Sequence, residues 1–135
     1  MYAANEISSK RLLIIDDMEG MRSQLRASLS SCGFAKLDIV PNIRDALSKI
    51  SINQYDVILC YYTLGNSTNC QQFLEHLRTS EIIKRNTIFI MITAEQSYDM
   101  VVSASECAPN DYLLKPFTPE QLNVRLTKLL EKQKY

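Results

Sequence analysis

Tyr55-Asp56-Val57-Ile58-Leu59-Cys60-Tyr61-Tyr62 is the stretch on which the reading of this chain turns. From Val57 to Tyr61 the residues are apolar or nearly so, and β-branched at the start. An uninterrupted run of that kind marks a strand buried on both faces. Thr63-Leu64-Gly65-Asn66-Ser67-Thr68-Asn69 follows, rich in turn formers, so the strand ends near Tyr62. In a parallel sheet covered by helices on both faces, chemistry gathers at the carboxyl ends of the strands. The side chain crowning this strand is Tyr61, and the function depends on what a phenol does there.

Reading outward, Lys10 to Ile15 is a second buried strand, closed by Asp16-Asp17. Two carboxylates at a strand end are costly to bury and need a cation or donors. Met21, Leu25, Leu29 and Cys32 then fall at helical spacing, with Gly33 as the stop. Lys36 to Val40 alternates as an edge strand does. Asn42 is placed to cap a helix whose inner face is Ile43, Ala46, Leu47 and Ile50. Beyond the central stretch, Phe73, Leu74 and Leu77 mark a helix, with Ile82 and Ile83 packing behind it. Thr87 to Thr93 is the most strand-like run in the chain. Ser97 to Ser105 reads as a weaker helix with a thin stripe of Met100, Val101 and Ala104. Asp111 to Leu114 is a last short strand, broken by Lys115-Pro116-Phe117. Thr118 as N-cap and Pro119 at the first helical position open a final helix. It turns Leu122, Leu126, Leu129 and Leu130 inward and extends roughly 25 Å toward Tyr135. Strands alternating with helices imply parallel pairing with right-handed crossovers, an α/β doubly wound sheet.

The 135 residues suit one domain with a substantial core. Fifteen basic residues balance fifteen acidic ones, which argues against direct binding to nucleic acid or to an anionic membrane. Residues 1–9 lack the apolar core of a signal peptide and read as an extended or disordered segment. Residues 10–132 form the domain and 133–135 a tail. No apolar run approaches the roughly 20 residues of a membrane helix, so a cytoplasmic location is expected. Three glycines leave no room for a Gly-rich nucleotide loop. The four cysteines, Cys32, Cys60, Cys70 and Cys107, form no Cys-x-x-Cys pair, and His76 is the single histidine. Zinc is therefore not expected. The thiols read as reduced, Cys60 as a small core residue, and His76 as an exposed helix residue.

The strand ends deliver Asp16 and Asp17, Tyr61, Thr93 and Lys115 to one rim. On these residues the chain resembles a response-regulator receiver domain, the module that accepts phosphoryl groups in bacterial two-component signalling. The resemblance runs from Lys10 to about Lys132. It implies a flavodoxin-like (βα)5 fold with a five-stranded parallel sheet in the order 2-1-3-4-5. It also implies an acidic pair for Mg²⁺ at Asp16 and Asp17, a switch hydroxyl at Thr93, an aromatic switch at Tyr112 and the cationic Lys115. A cis Lys115–Pro116 bond follows from the same likeness. So does a partner surface made by the helix over 97–105, the last strand and the last helix. That surface would meet a protein partner, an output domain or a second copy.

The departure is Tyr61, which stands where the family has its acceptor aspartate. A phenol has an ordinary pKa near 10 and is mostly neutral at pH 7. An aryl phosphate is also too stable for a short-lived signal. Asp56 is no substitute, because it begins the strand about 16 Å from the rim. The leading expectation is a non-enzymatic pseudo-receiver that works by protein contact without phosphate, with no cofactor beyond weakly held Mg²⁺. Its phenol hydroxyl would donate to Asp16 or Asp17 and accept from Lys115. Two alternatives stay open: a receiver still in a phosphorelay through unusual chemistry, and a flavodoxin-like domain that binds a small ligand.

Overall fold

Long apolar runs at 57–61 and 88–93 can be hidden only at the centre of a sheet covered on both sides, and that is where they lie. The computed structural model describes residues 4–61, 70–93 and 109–133. The elements are α1 (Ala4–Ser9), β1 (Arg11–Ile15), α2 (Glu19–Ser31), β2 (Lys36–Val40) and α3 (Ile43–Ile52). They continue with β3 (Val57–Tyr61), α4 (Cys70–Thr79), β4 (Ile88–Thr93), β5 (Asp111–Leu114) and α5 (Pro119–Gln133). The five strands are parallel, in the order β2-β1-β3-β4-β5. The helix expected over 97–105 lies outside the described residues, as do the 62–69 turn and Cys107.

Alternation along the strands divides the core in two. Leu13, Ile15, Ile58, Cys60, Phe89 and Met91 pack against α3 and α4. Leu12, Ile14, Val57, Leu59, Ile90 and Ile92 pack against α2 and α5. The helices supply the inner faces expected of them: Leu25 and Leu29 from α2, Ala46 and Ile50 from α3, Leu122, Leu126 and Leu130 from α5. Leu129 is only partly buried. Ile83 tucks against the α3–α4 side, but Ile82 is 40% exposed, so only one of that pair packs as expected.

The caps form as their residue types require. Asn42 Oδ1 accepts from the Asp45 amide at 2.8 Å. At α5 the Thr118 hydroxyl accepts from the Gln121 amide at 3.1 Å, and Gln121 Oε1 accepts from the Thr118 amide at 2.9 Å, a reciprocal capping box. Gly33 ends the α2 turn with φ +102°, a conformation glycine adopts without strain. Ile7 lies 3.6 Å from where a Cβ on Gly33 would stand, and Ile7 packs on the α2–α5 core. The extended or disordered N-terminal segment is thus corrected: residues 4–9 are helical, with Ile7 packed against that core.

Asp56 lies at the amino end of the sheet. Its carboxylate accepts from the Arg11 amide at 2.9 Å, its amide donates to the Arg11 carbonyl at 2.8 Å, and its carbonyl accepts from the Ile88 amide at 3.0 Å. Next to it the buried Tyr55 ring sends its hydroxyl to Asp38 on β2. Burial first, and then that bond to a carboxylate, push the Tyr55 phenol far above its usual value near 10. The proton is therefore held more tightly in the folded chain than in the unfolded one. The stability this gives is complete below the unfolded value and is lost as pH rises above it. Urea denaturation across the alkaline range is expected to show a fall in stability beginning near pH 10. Tyr55→Phe should make that fall smaller, while losing about 1 kcal/mol at neutral pH.

Candidate functional site

The register brings the rim together. Ile15 pairs with Cys60, Tyr61 with Ile92, and Thr93 with Leu114. The residues at or just past these strand ends are Asp16, Tyr61, Thr93 and Lys115, so all four emerge at the carboxyl edge. Asp16 is only 1% exposed and is held at every polar atom. Its amide donates to the Val40 carbonyl at 3.2 Å, and its carbonyl accepts from Arg22 Nη1 at 2.8 Å. Its Oδ1 accepts from the Met18 amide at 3.0 Å, and its Oδ2 from Lys115 Nζ at 3.3 Å. The Lys115 side chain is itself 11% exposed. Its amide donates to the Thr93 carbonyl at 2.8 Å, and the Lys115–Pro116 bond is cis, as the family likeness implied.

Lys115 Nζ also lies 3.6 Å from the centroid of the Tyr61 ring. An ammonium at that distance over an aromatic face is attracted to the ring quadrupole, more strongly where water is thin. The expected use of the phenol is therefore corrected. Among the described residues the Tyr61 hydroxyl makes no bond with Asp16 or Lys115; the ring face takes the cation. A phenol is longer than an aspartate side chain, so its face and not its oxygen stands beside the amine. The ring packs against both halves of the core.

Asp17 is exposed beside its buried neighbour, and Thr93 is 5% exposed at the end of β4. Tyr112 is half-buried against the α3–α4 side of the core. One participant, Arg22, was not singled out from the sequence. Arg22 follows Asp16 into α2 and bonds its carbonyl; an arginine one turn into the helix after an acidic strand end was the available signal. Arg125 on α5 clamps β5, with Nη1 at 2.7 and 2.8 Å from the Asp111 carboxylate and 3.1 Å from the Tyr112 carbonyl.

Mg²⁺ takes oxygen ligands in near-octahedral order. Here both Asp16 oxygens are engaged, and Tyr61 turns a ring face to Lys115 and adds no carboxylate to the rim. Among the described residues no cluster of three His, Cys, Asp or Glu side chains could hold a metal. The donor set does not fit a tight Mg²⁺ site.

The family model for the response regulator receiver domain matches residues 12–127. This chain belongs to the receiver-domain family of two-component response regulators. The receiver is 26% identical over 122 residues to the chemotaxis protein CheY of Pseudomonas aeruginosa, covering 90% of this chain and 97% of the relative. It is equally similar, at 26% over 122 residues, to CheY-3 of Vibrio cholerae, with 90% and 92% covered. In fold it is similar to the CheY-like receiver of Methanospirillum hungatei, with a TM-score of 0.82, 22% identity, and 93% and 96% of the two chains covered. CheY4 of Vibrio cholerae superposes with a TM-score of 0.78 at 24% identity over 89% and 98%. Among the described residues no helix is long and apolar enough to cross a membrane.

With the Lys115 ammonium bonded to Asp16, this receiver is expected to bind Mg²⁺ only weakly in titration calorimetry. Lys115→Ala frees Asp16 Oδ2 and should tighten binding. Low-micromolar affinity in the unmodified protein would contradict the assignment of that oxygen to the lysine.

Proposed function

We propose that this receiver is a pseudo-receiver, a module that signals by protein contact without being phosphorylated. The observation that supports it is the Lys115 ammonium held between the Asp16 carboxylate and the face of the Tyr61 ring. Transfer onto a receiver needs a carboxylate oxygen that attacks phosphorus while cations gather the charge that develops. In this reading Tyr61 takes the acceptor's place, and its side chain has no carboxylate oxygen to attack with. Asp56 is engaged at the opposite end of the sheet. The lysine that would meet the phosphoryl oxygens already has two partners. Thr93 and Tyr112 then have no phosphoryl group to follow, and packing sets their positions. The domain is accordingly read as non-enzymatic, without a resident cofactor, cytoplasmic, and without direct contact to nucleic acid.

The rim gives the first test. Incubation with acetyl phosphate and Mg²⁺ is expected to leave the intact mass unchanged. Tyr61→Asp, which restores a carboxylate among Asp16, Asp17, Thr93 and Lys115, is expected to gain a labelled fraction. Labelling of the unmodified protein at the rim would overturn the pseudo-receiver reading. Failure of Tyr61→Asp to label would show that the rim has lost more than its acceptor.

Contact is assigned to the face of β5 and α5, together with the helix expected over 97–105. Val124 is 64% exposed and Leu114 38% exposed on this face. A hollow of about 440 Å³ there is lined by Asn110, Asp111, Val124, Arg125, Lys128 and Lys132 among others. Apolar side chains ringed by charge suit a protein partner, an output domain or a second copy. Arg125 already holds Asp111 and the β5 backbone, so its reversal would disturb the fold. Val124→Asp with Lys128→Glu leaves that clamp in place. Sedimentation of the unmodified protein is expected to show concentration-dependent self-association, which this double variant abolishes without changing the melting temperature. Identical sedimentation of the two proteins would remove a second copy from the list of partners.

A further inference from the structure

Two thiols meet beside the rim. Cys60 is the last residue before Tyr61 on β3, and Cys70 is the first residue of α4. Although ten positions apart in the sequence, they are neighbours in one core. Both are 0% exposed and belong to the cluster that holds Phe73 and Met91. The Cys70 Sγ donates to the Cys60 carbonyl at 3.5 Å, and the Cys60 Sγ to the Tyr61 carbonyl at 3.7 Å. Burial, and then the adjoining Cys60 thiol, push the Cys70 thiol well above its ordinary value, so it is protonated in the reduced protein.

We propose that Cys60 and Cys70 form a reversible disulfide, an oxidation site that ties the end of β3 to the start of α4 next to Tyr61. Peroxide is the oxidant. One sulfur attacks a peroxide oxygen, the O–O bond breaks, and a sulfenic acid and one water result. The second sulfur then displaces the hydroxyl as the S–O bond breaks and the S–S bond forms, releasing a second water. Two electrons pass from the pair to the peroxide, and a dithiol returns them. Neither thiol is exposed, so reaction waits on local opening and is slow beside that of a surface thiol. The inference is independent of whether the rim accepts phosphate. Acetyl phosphate labelling reads the rim and thiol content reads the pair, so either can fail alone.

The test uses the full chain carrying Cys32→Ser and Cys107→Ser, which keeps only the buried pair. The folded protein is treated with hydrogen peroxide, quenched, unfolded and alkylated with iodoacetamide. Expected are an intact mass lower by two hydrogens, no alkylation at Cys60 or Cys70, and full alkylation after dithiothreitol. Chymotrypsin cuts after Tyr61 and Tyr62, so the two cysteines should appear on separate peptides joined through sulfur. The same joined peptides are expected from the unmodified protein, which covers a variant that fails to fold. Two alkylated cysteines after peroxide, sulfinic acids in place of the bridge, or a bridge joining two chains would each overturn the proposal.

Discussion

A carboxylate that is 1% exposed cannot stand in a protein interior without partners, and the rim of this receiver is organised by that constraint on Asp16. The carboxylate has two donors, the Met18 amide at the mouth of α2 and the Lys115 ammonium after β5, while the Arg22 guanidinium one turn into α2 holds the Asp16 backbone carbonyl. One buried charge thereby fixes where α2 begins and where the chain turns after the last strand. The strand order makes this closure possible, because β1 lies inside the sheet and β5 ends at the same edge. Removing one partner of such a pair leaves an uncompensated buried charge, a loss of about 3–5 kcal/mol.

Tyr61 acts on that pair through its size and its π face. A buried ammonium loses hydration, and one carboxylate replaces only part of it. The ring supplies a second favourable surface 3.6 Å away and excludes water from it. Because the ring also packs against both halves of the core, its position is tied to the sheet and to the helices on either side. A side chain that fills the rim and holds the lysine can keep the rim in one arrangement.

The fold was legible because its central strands bury both faces. Val57 to Tyr61 and Ile88 to Thr93 show the continuous apolar runs that only an interior parallel strand produces, and β2 shows the alternation of an edge. Capping at Asn42 and Thr118 was readable from residue type, since each has one short-range task. Six residues are too few to show helical periodicity, so α1 was not readable; its Ile7 packs on a core assembled from residues far along the chain. Ile82 and Ile83 could not be told apart, because which of two adjacent isoleucines turns inward depends on how the chain leaves α4. The rim residues were legible by type and strand position. The direction from which Lys115 approaches Tyr61 was not, because a sequence names a ring and a hydroxyl without saying which one faces the amine. The nearness of Cys60 and Cys70 was hidden for a related reason, as it depends on how the start of α4 docks on the end of β3.

The presence of Asp16 and Lys115 in a receiver does not by itself argue for phosphoryl transfer. In an ordinary reading these are the metal-binding acid and the phosphate-sensing cation. Here each is the other's buried counter-ion, and Asp16 also anchors the start of α2. Neither can be removed without stranding its partner, whatever the domain does with phosphate. Thr93 is likewise tied into the fold by its backbone, since its carbonyl receives the Lys115 amide. Asp17 is a different case, because it is exposed beside its buried neighbour. A rim that keeps its structural pair has kept what stability demands. The residue that bears on the chemistry is the one at the end of β3, where a carboxylate would have competed with Asp16 for Lys115 and a phenol ring does not.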